Sequence, residues 1–170
     1  ILVAEAAENN LGYKALNERV RRWYSCSLCE QDCHGVVCCA LGWAGWKTYL
    51  GRPETDPPRT SAMTYLGHGL AESDHHEDAL SVREAELSMM RRVGAPEENM
   101  LIVQGNLAGT YTRLGRLDDA VLMQRDVYAG ISKILGEEHK DTIREANNYA
   151  LLLLDLRRFA EAMSVLRQTL

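Results

Sequence analysis

The chain has no apolar run near the ~18 residues that a membrane-spanning helix requires. Its longest run near the end, Tyr149 to Leu154, reads as a buried helix face. Positive charge is not in excess either: 19 Lys and Arg stand against 24 Asp and Glu, a net charge of −5. Nucleic-acid binders carry a basic stripe, so no nucleic-acid partner is expected, and no membrane partner. The small cluster Arg19, Arg21 and Arg22 does not change that. Signs of catalysis are also missing. Ser81 and Ser88 lack the His and Asp arrangement that activates a nucleophile. Gly67-His68-Gly69 lacks the preceding strand that would make it a phosphate loop. The acidic pairs Asp118-Asp119 and Glu137-Glu138 fall near helix ends, where exposed polar side chains belong, and His75-His76 reads as a solvated corner. The expectation is a chain that is not an enzyme.

What is present is a repeat with a period of about forty-two residues. Asn106-Leu107-Ala108 returns forty-two positions later as Asn148-Tyr149-Ala150, and Ala120 as Ala162; Gly94 precedes Gly136 by the same interval. Such spacing marks stacked supersecondary units, each unable to bury its apolar face alone. The clearest unit spans residues 101–142. Leu101, Gln104, Leu107, Ala108, Tyr111 and Leu114 share one helical face, and Leu117, Ala120, Val121, Gln124, Val127 and Tyr128 open a second helix that runs through Ile131 and Ile134. Gly115 and Gly136 close the two helices, and so short a link makes them antiparallel. Residues 59–100 and 143–170 follow the same plan, the latter truncated, with Phe159, Ala162, Val165 and Leu166 on its second helix. A divergent first repeat covers residues 1–58, with helices expected near residues 15–24 and 36–50, and Pro57-Pro58 mark the link to the next unit. Gly67, Ala108 and Ala150, and likewise Ala79, Ala120 and Ala162, are small where helices approach closely. The fold class is all-α, a solenoid of helical hairpins.

The small residue in each first helix, the Leu-Gly-Arg-like corner and the following Ala resemble tetratricopeptide repeats. Leu135-Gly136-Glu137-Glu138-His139-Lys140-Asp141-Thr142, followed by Asn147-Asn148-Tyr149-Ala150, is similar to the kinesin light chain subtype, with Lys140 where that family has Pro and Gly105 where it has a first Asn. The resemblance covers about residues 59–170. No heptad coiled coil of the sort that would engage a motor is present. The resemblance implies a right-handed superhelix whose first helices line a concave groove that holds a peptide. By position, the groove residues it implies are Tyr65, His68, Asn106, Arg113, Arg144, Asn147 and Asn148. A carboxamide both donates and accepts, so Asn106 and Asn148 suit a peptide main chain, and Arg113 and Arg144 suit a carboxylate. The opposing reading has Asn148 stabilising nearby backbone and the arginines merely solvated.

All five cysteines lie between residues 26 and 39, a crowding unlike a secreted disulfide framework, so a reducing, cytoplasmic setting is expected. Cys26, Cys29, His34 and Cys39 reproduce the spacing of a zinc knuckle, and three thiolates with one imidazole suit Zn²⁺. Cys33 and Cys38 are further candidates. The loop lacks the glycines and aromatics of a knuckle, and reduced thiols buried beside Trp43 and Trp46, or a redox sensor, are the other readings.

Taken together, these features imply a non-catalytic scaffold or adapter that binds a peptide segment of a partner protein and has no resident cofactor, unless Zn²⁺ fills the Cys/His corner. The alternatives are the sensor array of a larger signalling enzyme or a zinc-binding interaction module. The chain begins at Ile1 and stops at Leu170 within an apparent helix, which reads as part of a longer protein. An apolar face at Val165, Leu166 and Leu170 would then be uncovered, favouring self-association through an uncapped end.

Overall fold

The computed structural model describes residues 29–168 together with Arg21 and Ser25. The helix expected near residues 15–24 therefore lies outside the described residues, apart from Arg21. Seven helices follow: α1 (Gly35–Tyr49), α2 (Pro57–Glu72), α3 (His76–Val93), α4 (Glu97–Arg113), α5 (Leu117–Leu135), α6 (Lys140–Asp155) and α7 (Phe159–Gln168). Among the described residues there is one isolated β-bridge, between Ser25 and Asp32, and no named strand. No described helix is long and apolar enough to cross a membrane.

Helix ends show why the chain breaks where it does. Pro57 and Pro58 stand in the first turn of α2, so they open a helix instead of linking two; a first-turn residue has no intrahelical partner for its N–H, and proline lacks one. Four corners share one device: a left-handed residue whose successor donates its N–H to a carbonyl five residues back. It occurs at Asp74 (His75 to Leu70, 2.9 Å), Gly94 (Ala95 to Met90, 2.9 Å), Gly115 (Arg116 to Tyr111, 2.8 Å) and Arg157 (Arg158 to Leu153, 2.8 Å). Gly136 is different, with φ 87° and ψ 163°, a region only glycine enters cheaply. Its carbonyl accepts the Thr142 hydroxyl at 2.6 Å, and His139 Nδ1 accepts the Asp141 N–H at 3.2 Å. The Gly136–His139–Thr142 spacing is thus a corner that ends α5 and starts α6.

The chain divides into two compact units, Ile1–Met89 and Met90–Leu170. In the first, α1 and α2 meet at glycine on both sides. A β-carbon on Gly42 would lie 2.8 Å from the Leu66 α-carbon, and one on Gly69 would lie 2.7 Å from the Cys38 carbonyl oxygen. Leu66, Leu70 and Ala79 form the core there, with Cys39 and Trp46 packed against it. In the second unit α5 packs on α4 and on α6, and α7 on α6. Leu101, Val127 and Ile131 make its core, and Ala108, Ala120, Ala150 and Ala162 are all buried. Phe159, expected on the buried face of α7, is instead 59% exposed at the first position of that helix. Ile134 and Ala85 are exposed too, whereas Val165 is buried and Leu166 half-buried. Leu170 lies outside the described residues.

Candidate functional site

In the second unit, α4 and α6 are the first helices of successive repeats, and α5 lies behind them. Two abutting depressions run between them. One, of about 240 Å³, is lined by Leu101, Ile102, Gly105 and Asn106 of α4, Val127 and Ile131 of α5, and Arg144, Glu145 and Asn148 of α6. The other, of about 360 Å³, is lined by Gly105, Ala108, Gly109, Thr112 and Arg113 of α4, Gln124 of α5, and Asn148, Leu151, Leu152 and Asp155 of α6. They share Gly105 and Asn148, one on each wall. Helical periodicity explains the lining, since positions 102, 105, 106, 109 and 113 recur three or four apart on one face of α4.

Of the groove residues implied by the resemblance, Asn106, Arg113, Arg144 and Asn148 are brought together here. Asn147, though exposed, lines neither depression; Tyr65 and His68 belong to α2 in the first unit, where His68 is exposed and Tyr65 half-buried. Arg144 is not a spare cation. Its Nη1 meets Asp141 Oδ1 at 2.7 Å and its Nε donates to Glu145 Oε1 at 2.9 Å. Those bonds, the one from Glu145 foremost, raise its pKa above the ordinary arginine value. Arg113, exposed at the groove edge, makes no ion pair among the described residues.

Sequence reasoning missed Glu145, the hub of the site. It is buried, and its carboxylate accepts from Gln124 Nε2 at 2.8 Å and Asn148 Nδ2 at 3.2 Å on one oxygen, and from Arg144 on the other. Burying a carboxylate costs several kcal/mol unless donors replace its water; three do so here. Gln124, read as a helix-face residue, reaches this hub from α5 with only 3% of its surface exposed. Also missed were Gly105 and Gly109. Neither has a positive φ. A β-carbon on Gly109 would meet nothing within 4 Å, and on Gly105 only ordinary contacts at 3.9 Å. Each costs about 1 kcal/mol of helix propensity relative to alanine, and no packing inside the chain requires it. The readable signal was two glycines four apart in a helix with no turn between them.

The Cys/His corner offers less. Cys26 lies outside the described residues. Cys29 is exposed, Cys33 and Cys39 are half-buried, and Cys38 is buried. Cys39 packs against the Leu66, Leu70 and Ala79 core, and His34 Nδ1 lies 3.6 Å from Glu72 Oε2. Burial first, then the nearby Glu72, Cys33 and Cys39, pushes the Cys38 thiol up. Among the described residues no three His, Cys, Asp or Glu side chains gather as a metal set.

Residues 100–170 match the family model described as tetratricopeptide repeat. Nearly identical repeats from a kinesin light chain-like protein of Podosopora anserina superpose with a TM-score of 0.66 at 18% identity, covering 99% of this chain and 70% of that one. BtubC (BKLC) from P. vanneervenii gives a TM-score of 0.64 at 18% identity, covering 77% of this chain and 54% of the other. At that identity the likeness establishes the fold. No protein of curated function matches the chain.

Proposed function

We propose that this chain, which matches the tetratricopeptide repeat over residues 100–170 and shares the fold of kinesin light chain-like repeats, is a non-catalytic scaffold that holds a partner's peptide between α4 and α6. The observation that carries this reading is the pair of abutting depressions along those helices. Their walls carry apolar contact from Ile102 and Leu151, both more than half exposed, and hydrogen-bonding groups from Asn106 and Asn148. Gly105 and Gly109 leave the α4 wall bare, which suits close approach of an extended main chain. Arg113 and Asp155, of opposite charge, line the larger depression and give the groove one charge of each sign to set a peptide's direction.

The test is selection of binders from a random peptide display library on the wild-type chain, followed by affinity measurement on Gly109→Trp. The open space at Gly109 lets the indole lie in the groove without disturbing the helix, so unchanged helicity and at least a tenfold weaker Kd are expected. Equal affinity for both proteins would place the binding surface elsewhere.

A further inference from the structure

The contacts around Glu145 fix more than the fold. A carboxylate only accepts hydrogen bonds, so the atom of Asn148 that faces Glu145 Oε2 at 3.2 Å must be the carboxamide nitrogen. The same logic fixes Gln124, whose nitrogen approaches both Glu145 Oε2 at 2.8 Å and the Glu145 carbonyl oxygen at 3.4 Å. Gln124 comes from the helix behind the groove and Asn148 stands on its wall, shared by both depressions. The Asn148 carboxamide oxygen takes no donor from the described residues.

We propose that Gln124 and Glu145 are positioning residues that lock the Asn148 carboxamide in one of its two orientations, so that it offers an oriented acceptor to a backbone N–H of a bound peptide. The proposal rests on the groove reading above and specifies what the groove recognises: main chain at this point, independent of the peptide's side chains. A carboxamide free to flip would offer donor and acceptor alternately and lose freedom on binding. One already held by a buried carboxylate loses little. Arg144, donating to the other oxygen of Glu145 at 2.9 Å, fixes how that carboxyl group is turned toward Asn148.

Two isosteric variants test this in the full chain. Glu145→Gln replaces one carboxylate oxygen with a donor, and Gln124→Met keeps volume while removing the amide. The first readout needs no ligand: the two Asn148 side-chain N–H signals in a nitrogen–proton NMR spectrum, assigned by their absence in Asn148→Ala. One signal should stand downfield in the wild type, and that displacement should vanish in Glu145→Gln and shrink in Gln124→Met, with helicity retained. The second readout uses peptides selected on the wild type and N-methylated one bond at a time. One methylation should weaken wild-type binding about tenfold and have under twofold effect in Asn148→Ala and Glu145→Gln. Asn148 signals identical in all folded variants, or binding indifferent to every N-methyl group, would overturn the proposal while peptides still bind. Failure to select any peptide, with the NMR signals behaving as expected, would instead sink the groove reading and leave the oriented carboxamide standing.

Discussion

Glu86 is 1% exposed, held by the Thr64 hydroxyl near Arg83, which is also buried and whose stem packs on Gly67. Burial pushes its pKa up to about 7, against the smaller opposing pull of Thr64 and Arg83. The folded state therefore holds this proton more tightly than the unfolded chain does, whose carboxyl titrates near 4.5. Between those two values the native state binds more protons, so the Glu86 contribution to stability falls as pH rises through that window and levels off above it. The total is on the order of 3 kcal/mol. Denaturant midpoints of wild type and Glu86→Gln, compared at pH 5 and pH 7.5, should diverge, with the variant more stable at the higher pH. A variant that loses stability at pH 7.5 would mean that an ionised Glu86 supports the fold. Nothing along the chain signals this pair, because a Glu three residues after an Arg looks like an exposed helix pair. Forty-one residues on, the positions of Thr64 and Glu86 are occupied by Gly105 and Val127, and that of Arg83 by Gln124. One repeat buries a charge where the next lays open a groove.

For single elements, backbone meets backbone in the first unit, where α1 and α2 approach through Gly42 and Gly69. The neighbouring atoms are backbone and have nowhere to go. Gly69→Ala should therefore separate the two helices and cost about 1–3 kcal/mol, although alanine is the better helix former by ~1 kcal/mol. A denaturant midpoint unchanged or raised in Gly69→Ala would show that the contact relaxes freely. Gly109→Ala is the control: its β-carbon meets nothing, so propensity should win and stability rise. Sequence periodicity picked out Gly67 as small at a helix approach, and its β-carbon would indeed press on the Arg83 stem at 3.2 Å. It did not pick out Gly42 or Gly69, because the glycine is dictated by an atom from another helix. Helix ends divide the same way. Gly94 and Gly115 announced their corners, and Asp74 is of a type that tolerates the left-handed conformation, whereas Arg157 adopts it with nothing in its identity to signal it.

At the scale of the whole chain, acidic residues outnumber basic ones and the net charge is −5. The uncovered surface expected at Val165 is not there, since that side chain is buried. Apolar exposure sits instead at Phe159 and Met163, one turn apart on α7 and both about half exposed or more, with Leu154 exposed near the end of α6. Self-association, if driven by this face, should appear in light scattering as a mass above the monomer at high concentration, and Phe159→Glu with Met163→Glu should restore the monomer. A monomeric wild type at every concentration would show that this apolar face is too small to pair.

The sequence by itself determined the all-α class, the forty-two-residue unit and the placement of α4, α5 and α6. Periodicity, corner glycines and small residues are local facts that repeat three times along the chain. Four of the residues that the resemblance implied, Asn106, Arg113, Arg144 and Asn148, line the depressions between α4 and α6. Only the tertiary structure decided which of them hold one another. Glu145 is buried through donors that include Gln124, twenty-one residues away on another helix, and such a partner follows from packing in three dimensions, which no spacing along a single helix encodes. Packing likewise sets the surroundings of the thiols: the spacing of Cys26–Cys39 is read from the sequence, but that Cys39 lies against Leu66, Leu70 and Ala79 follows from where α1 meets α2.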